Sequence, residues 1–193
     1  MIEAPPTTVT LQEAEEWILR ALKEEEFPVL VCGRSALDYQ GEYTGSEDVD
    51  ILIGTDFRGA LSVLDVYVDR GDLFPAGAVP HGVSRFLVSG DKPVDVMNVS
   101  SVHPDLFTIL MEEASTLIKM GKAGTVHAVS REGYFVLAIM IGLAGFAREK
   151  EDPMLKVREG WALFGARTDR QKVDRLLRKL GVKKGLATAL EPQ

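Results

Sequence analysis

The chain predicts an α/β fold: a mixed β-sheet flanked by helices, followed by a helical C-terminal extension. Two observations lead there. Up to about residue 130, apolar runs of strand length alternate with amphipathic helical patterns, punctuated by Gly, Pro and Asp. Beyond that point only helical periodicity continues, and no linker, internal repeat or low-complexity tract intervenes. The expected organisation is a core over 1–130 and a helical extension over 131–193.

Each element has a local reason. Residues 1–9 read as a loose arm. Thr10 and Glu13 form a capping-box pattern, and Ala14, Trp17, Ile18, Leu19 and Leu22 then share one side of a helix whose other positions are solvated. Phe27 to Cys32 is a strand. Gly33 breaks it, and Ser35 is placed to cap a short helix through Tyr39. After a turn-rich loop over 41–45, Val49 to Ile53 is the next strand, Phe57 to Val68 a helix, and 70–82 a Gly/Pro-rich loop. Ser84 to Val88 and Pro93 to Val99 make a hairpin about Ser89-Gly-Asp-Lys92. Pro104 at a first helical position starts a helix to about Leu117. Gly124 to Val129 is a further strand. A long helix runs from Ser130 to about Glu151, where Pro153 stops it. Val173, Leu176, Leu177 and Leu180 recur at helical spacing before Gly181.

Composition narrows the function classes. With 193 residues, 46% hydrophobic and 26% charged, the chain can bury a full core without staples. A single cysteine excludes an intrachain disulfide, and Cys32 ends an apolar run, where a buried hydrophobe is expected. No apolar run reaches membrane-spanning length and the N-terminus lacks a basic-then-apolar start, so a cytoplasmic location and no membrane partner are expected. The net charge of −7 is uneven: 167–184 holds eight basic and two acidic residues, leaving the remainder at −13. That balance argues against whole-surface nucleic-acid binding.

The acids inside strands carry the chemistry. Asp48 and Asp50 open an apolar run, and residues two apart share one face of a strand. Asp95 lies mid-pattern in Val94-Asp95-Val96-Met97, where a buried carboxylate is costly without a cation. Gly33-Arg34-Ser35 joins a strand to a helix start, where N–H groups favour phosphate. Asp-x-Asp alone is weak evidence, because a solvated strand entrance is the commoner explanation of such a pair. Three carboxylates beside such a turn suit Mg²⁺, which takes carboxylates together with phosphate oxygens. The scattered His81, His103 and His127 show no metal spacing. Trp17 and Trp161 fall on apolar faces, and the sequence cannot place Arg58, Arg70 and Arg85 relative to the cleft.

The run Val29 to Leu37 with Gly33 and Ser35, then Asp48-Val49-Asp50-Ile51, then Lys92-Pro-Val-Asp95-Val-Met, resembles the polymerase-β-like nucleotidyltransferase superfamily. The minimal prokaryotic type, including AbiEii-toxin-like members, is the nearest subgroup. Leu137 to Asp152, with Arg148 and Lys150, resembles the helical motif that follows the core there. Arg34 stands where that family usually has Gly or Ser. The helix reads Ala138-Ile-Met-Ile where a Lys is frequent, and Glu151 sits where Asp is common.

The resemblance implies a nucleotidyltransferase-type sheet, two Mg²⁺ ions and transfer of a nucleoside monophosphate from a nucleoside triphosphate. Asp48 and Asp50 would hold both ions, and Asp95 the ion that activates the acceptor. Gly33, Arg34 and Ser35 would hold the triphosphate. The acceptor would be a hydroxyl on protein, tRNA or a small molecule, with a cognate antitoxin as a possible partner of a toxin-like enzyme. The alternative is a catalytically degenerate nucleotide- or protein-binding module of the same fold. A glycosyltransferase, which also uses Asp-x-Asp, fits the Gly33–Ser35 turn and Asp95 less well.

Overall fold

A computed structural model describes residues 3–42, 45, 49–54, 56–71, 82–144, 152, 154–183 and 185–191. The first helix, α1 (Leu11–Glu24), carries the expected capping box: Glu13 N–H donates to Thr10 Oγ1 at 3.2 Å and Thr10 N–H to Glu13 Oε2 at 2.8 Å. Ile18, Leu19 and Leu22 are fully buried, each contributing about 1.5–3 kcal/mol by burial. Glu15 overturns the expectation of a solvated remainder. It stands at i to Ile18, Leu19 and Leu22 at i+3, i+4 and i+7, inside the apolar stripe, and is itself fully buried.

The remaining elements follow in chain order. They are β1 (Val29–Cys32), α2 (Gly33–Asp38), β2 (Val49–Ile53), α3 (Phe57–Asp65), β3 (Asp69–Gly71), β4 (Val83–Val88), β5 (Lys92–Met97), α4 (Leu106–Glu113), β6 (Ser115–Met120), β7 (Gly124–Val129), α5 (Arg131–Leu143), α6 (Leu155–Phe164), α7 (Arg170–Lys179) and α8 (Leu186–Ala189).

Among the described residues, seven strands form one mixed sheet in the order β3-β4-β5-β2-β1-β7-β6. The β2–β5 and β1–β7 pairs are parallel; the other neighbours are antiparallel. The central strands β1 and β2 hold apolar side chains buried on both sheet faces, as strands covered on both sides must; in β5 the buried Val94 and Val96 share one face and Asp95 takes the other. Helix α1 lies against β1 and β5, α4 against β6 and β7, and α5 against β7, α6 and α7. Phe135 of α5 stacks near Trp161 and Phe164 of α6, so one apolar core runs from the sheet into the C-terminal helices.

Three local expectations are corrected. Ser35 does not cap α2: the helix already begins at Gly33, and Ser35 Oγ donates to the Cys32 carbonyl at 3.2 Å. The helix after Pro104 begins at Leu106 and stops at Glu113, and residues 115–120 form β6 instead. Strand pairing with β7, closed by a turn over Gly121–Ala123, overrides the helical pattern there. The loop assigned to 70–82 begins within β3. The hairpin was legible: β4 and β5 pair from Val83↔Met97 to Val88↔Lys92, with Ser89 and Gly90 both at positive φ. The helix expected to run to about Glu151 ends at Leu143, with Ala144 as its cap, and Arg148, Lys150 and Glu151 lie outside the described residues. No described helix is long and apolar enough to cross a membrane.

Candidate active site

Four strands set one row of side chains across the sheet. Cys32 of β1 pairs with Asp50 of β2, Asp50 with Asp95 of β5, and Asp95 with Arg85 of β4. Cross-strand partners share a sheet face, so the row reads Cys32, Asp50, Asp95, Arg85. Asp50 and Asp95 are thereby brought side by side although 45 positions separate them in the chain. Asp48 lies outside the described residues, as does His81. Among the described residues no three His, Cys, Asp or Glu side chains gather as a metal-binding group.

Asp95 is buried, and its carboxylate accepts from Arg85 at both oxygens, 2.7 Å to Nε and 2.7 Å to Nη2. This is a side-on fork, the strong form of a guanidinium–carboxylate pair. The other two arginines left unplaced by the sequence lie elsewhere: Arg70 pairs with Asp65, and Arg58 lines an open cleft with Asp56, Asn98 and Ser101.

The Gly33 turn abuts Asp50. Gly33 has φ +66°, and a Cβ there would collide with the Asp50 carboxylate. Only glycine meets both demands, so the backbone of the turn reaches the acid directly. Arg34 points to α6, where its guanidinium contacts Glu159 Oε2 at 2.6 Å. Burial works against the Arg34 charge, but hydrogen bonding to Tyr134 and the charge of Glu159 outweigh it and raise its pKa. The Ser35 hydroxyl is buried and donates inward to Cys32.

Negative potential collects at this end of the sheet. Burial, then the charges of Asp50, Glu15 and Asp95, push the Cys32 thiol well above its usual value. A neutral buried thiol is inert as a nucleophile. Burial also lifts Glu15 to about 8; a hydrogen bond from the Tyr39 hydroxyl opposes this, and Asp50 adds to it. Glu15 Oε1 is buried without a hydrogen-bond partner. The sequence reading missed Glu15, although its place in the apolar stripe of α1 was the available signal.

The other sequence candidates have ordinary surroundings. His127 Nδ1 is 2.9 Å from Ser115 Oγ, and His103 Nδ1 accepts from the Asp105 N–H. Trp17 is buried and donates to the Glu3 carbonyl; half-buried Trp161 lies under Arg170. In the basic run, Arg167, Lys172 and Lys179 face Glu42, Glu132 and Glu113.

The donor set fits a hard divalent cation. Two paired carboxylates supply oxygen donors of the kind such an ion takes, a guanidinium already stands as a cation on one of them, and the other packs directly on the Gly33 backbone.

Comparison with solved structures identifies the fold. An antigenic nucleotidyltransferase-like protein from Paracoccidioides brasiliensis matches with TM-score 0.53 at 15% identity, over 97% of this chain and 94% of that one. ANT(2'')-Ia in complex with adenylyl-2''-tobramycin matches with TM-score 0.57 at 16% identity, over 90% and 98%. The antibiotic-resistance factor ANT(2'')-Ia in solution matches with TM-score 0.50 at 17% identity, over 87% and 89%. The fold is therefore the nucleotidyltransferase fold, as the resemblance implied. No protein-family model matches the sequence, and no curated protein does.

Proposed function

We propose that the chain is a Mg²⁺-dependent nucleotidyltransferase that moves a nucleoside monophosphate from a nucleoside triphosphate to a hydroxyl. The observation that carries this reading is the register pairing of Asp50 with Asp95, with the Gly33 backbone packed on Asp50. Those carboxylates, joined by Asp48, would hold the divalent ions, and Gly33, Arg34 and Ser35 the triphosphate through their main chain, since the Arg34 guanidinium is engaged by Glu159 and the Ser35 hydroxyl by the Cys32 carbonyl. When bound, the ions would neutralise phosphate charge and favour ionisation of the acceptor hydroxyl. In the transfer the acceptor oxygen bonds the α-phosphorus, the α–β phosphoanhydride breaks, and pyrophosphate leaves. The Gly33 turn would hold the triphosphate through main-chain N–H groups, because no side chain stands between that backbone and Asp50.

The acceptor to test first is a small molecule, since a neighbour similar over nearly its whole length is bound to adenylyl-2''-tobramycin. Protein and tRNA hydroxyls, and an antitoxin partner, remain in the test panel. Purified protein with Mg²⁺, labelled nucleoside triphosphates and such a panel should give label transfer that Asp50→Asn abolishes. Equal transfer by both proteins, or none by either, would falsify the assignment.

A second reading has an observation behind it. Arg85 already neutralises Asp95, which suits a catalytically degenerate module that binds nucleotide or a partner protein. Nucleotide binding in calorimetry without turnover on any acceptor would favour it.

A further inference from the structure

Asp95 has an occupant already. Arg85 lies opposite it in the β4–β5 register and engages both carboxylate oxygens at 2.7 Å. The Asp95 side chain is 10% exposed and that of Arg85 28%, so the pair is held largely away from water. A guanidinium does not lose its proton at any ordinary pH, so its charge on Asp95 is permanent. A carboxylate forked in this way offers its two best lone pairs to the guanidinium, and a second cation on the same group meets the positive charge of the first.

We propose that Arg85 is a built-in competitor for the cation site, from which a divalent ion must displace it to bind Asp95. Arg85 thus sets the cation affinity of the Asp50–Asp95 pair. It is a positioning residue for the carboxylate. This inference rests on the cation-binding reading above and deepens it. The Arg85 side chain is the more exposed partner of the pair, and the strand that carries it is paired on both sides, to β3 and to β5, independently of the fork.

Mn²⁺ binding to the full chain, read as loss of the free-ion paramagnetic resonance signal with no nucleotide present, tests the proposal independently of turnover. Arg85→Gln should bind Mn²⁺ about tenfold more tightly than the unmodified protein, the scale of a lost charged hydrogen-bond pair. Arg85→Lys keeps the charge but loses the fork, and should fall between them. Asp95→Asn should bind more weakly despite an intact Arg85. Circular dichroism verifies folding; if Arg85→Gln fails to fold, Arg85→Lys decides. A folded Arg85 variant with unchanged or weaker Mn²⁺ affinity overturns the proposal, and if Asp50→Asn still abolishes binding, the cation-site reading survives alone. If no protein of the series binds Mn²⁺, both readings fall.

Discussion

Gly33 carries two constraints at one position. Its φ of +66° lies in the left-handed region, and its α-carbon is packed against Asp50. Gly33→Ala should therefore cost about 1–2 kcal/mol from backbone strain alone, with more from moving the carboxylate. Urea unfolding should show a lower midpoint with an unchanged slope, and the folded variant should lose nucleotide affinity. A variant as stable as the parent would refute the packing argument. At this scale the sequence was readable where a residue contradicts its surroundings. Asp95 inside Val94-Asp95-Val96 and Gly33 after an apolar strand both announced themselves. Arg85 did not, because its meaning depends on the strand opposite. Its partner follows only once the β4–β5 register is known.

At the scale of elements, Glu15 ties α1 to the end of α2 by accepting the Tyr39 hydroxyl. Burial raises its pKa from 4.5 to about 8. Between those values the folded protein keeps a proton on Glu15 that the unfolded chain releases. Stability therefore falls as pH rises through that window, by up to about 1.4 kcal/mol per pH unit, and the loss is complete above it. Glu15→Gln keeps an acceptor for Tyr39 and removes the ionisation. Chemical denaturation at several pH values should show a flatter dependence for the variant, and a slope equal to the parent's would exclude Glu15 as its source. Most elements were legible because their apolar period is local. The β6 strand was not: Ser115-Thr-Leu-Ile-Lys-Met has neither a clean alternation nor a break before it, and only β7 makes it a strand.

At the scale of the molecule, cation and nucleotide together should behave as a ligand of the folded state. At a hundredfold excess over the dissociation constant, binding adds about 2.7 kcal/mol. For a chain of 193 residues that raises the melting temperature by roughly 5–10 °C. Scanning calorimetry with Mg²⁺ and a non-hydrolysable triphosphate should show this rise, and Asp50→Asn should lose it. A rise retained by Asp50→Asn would place the ligand elsewhere. The fold as a whole was readable from the alternation of strand and helix patterns, whereas strand order was not. The pairing of β1 with β7 joins segments nearly a hundred positions apart, and no local signal encodes it.

The parallel alignment of β2 with β5 also protects the chemistry from drift. If β5 slid by one residue, Asp95 would turn to the opposite layer and Val94 or Val96 would take its place beside Asp50. The same slip would move two fully enclosed valines off their apolar layer and put a carboxylate there, away from the Arg85 that now neutralises it. Any change that misaligned the acids would thus first unmake the protein, so ordinary selection for a folded chain also keeps the carboxylates abreast.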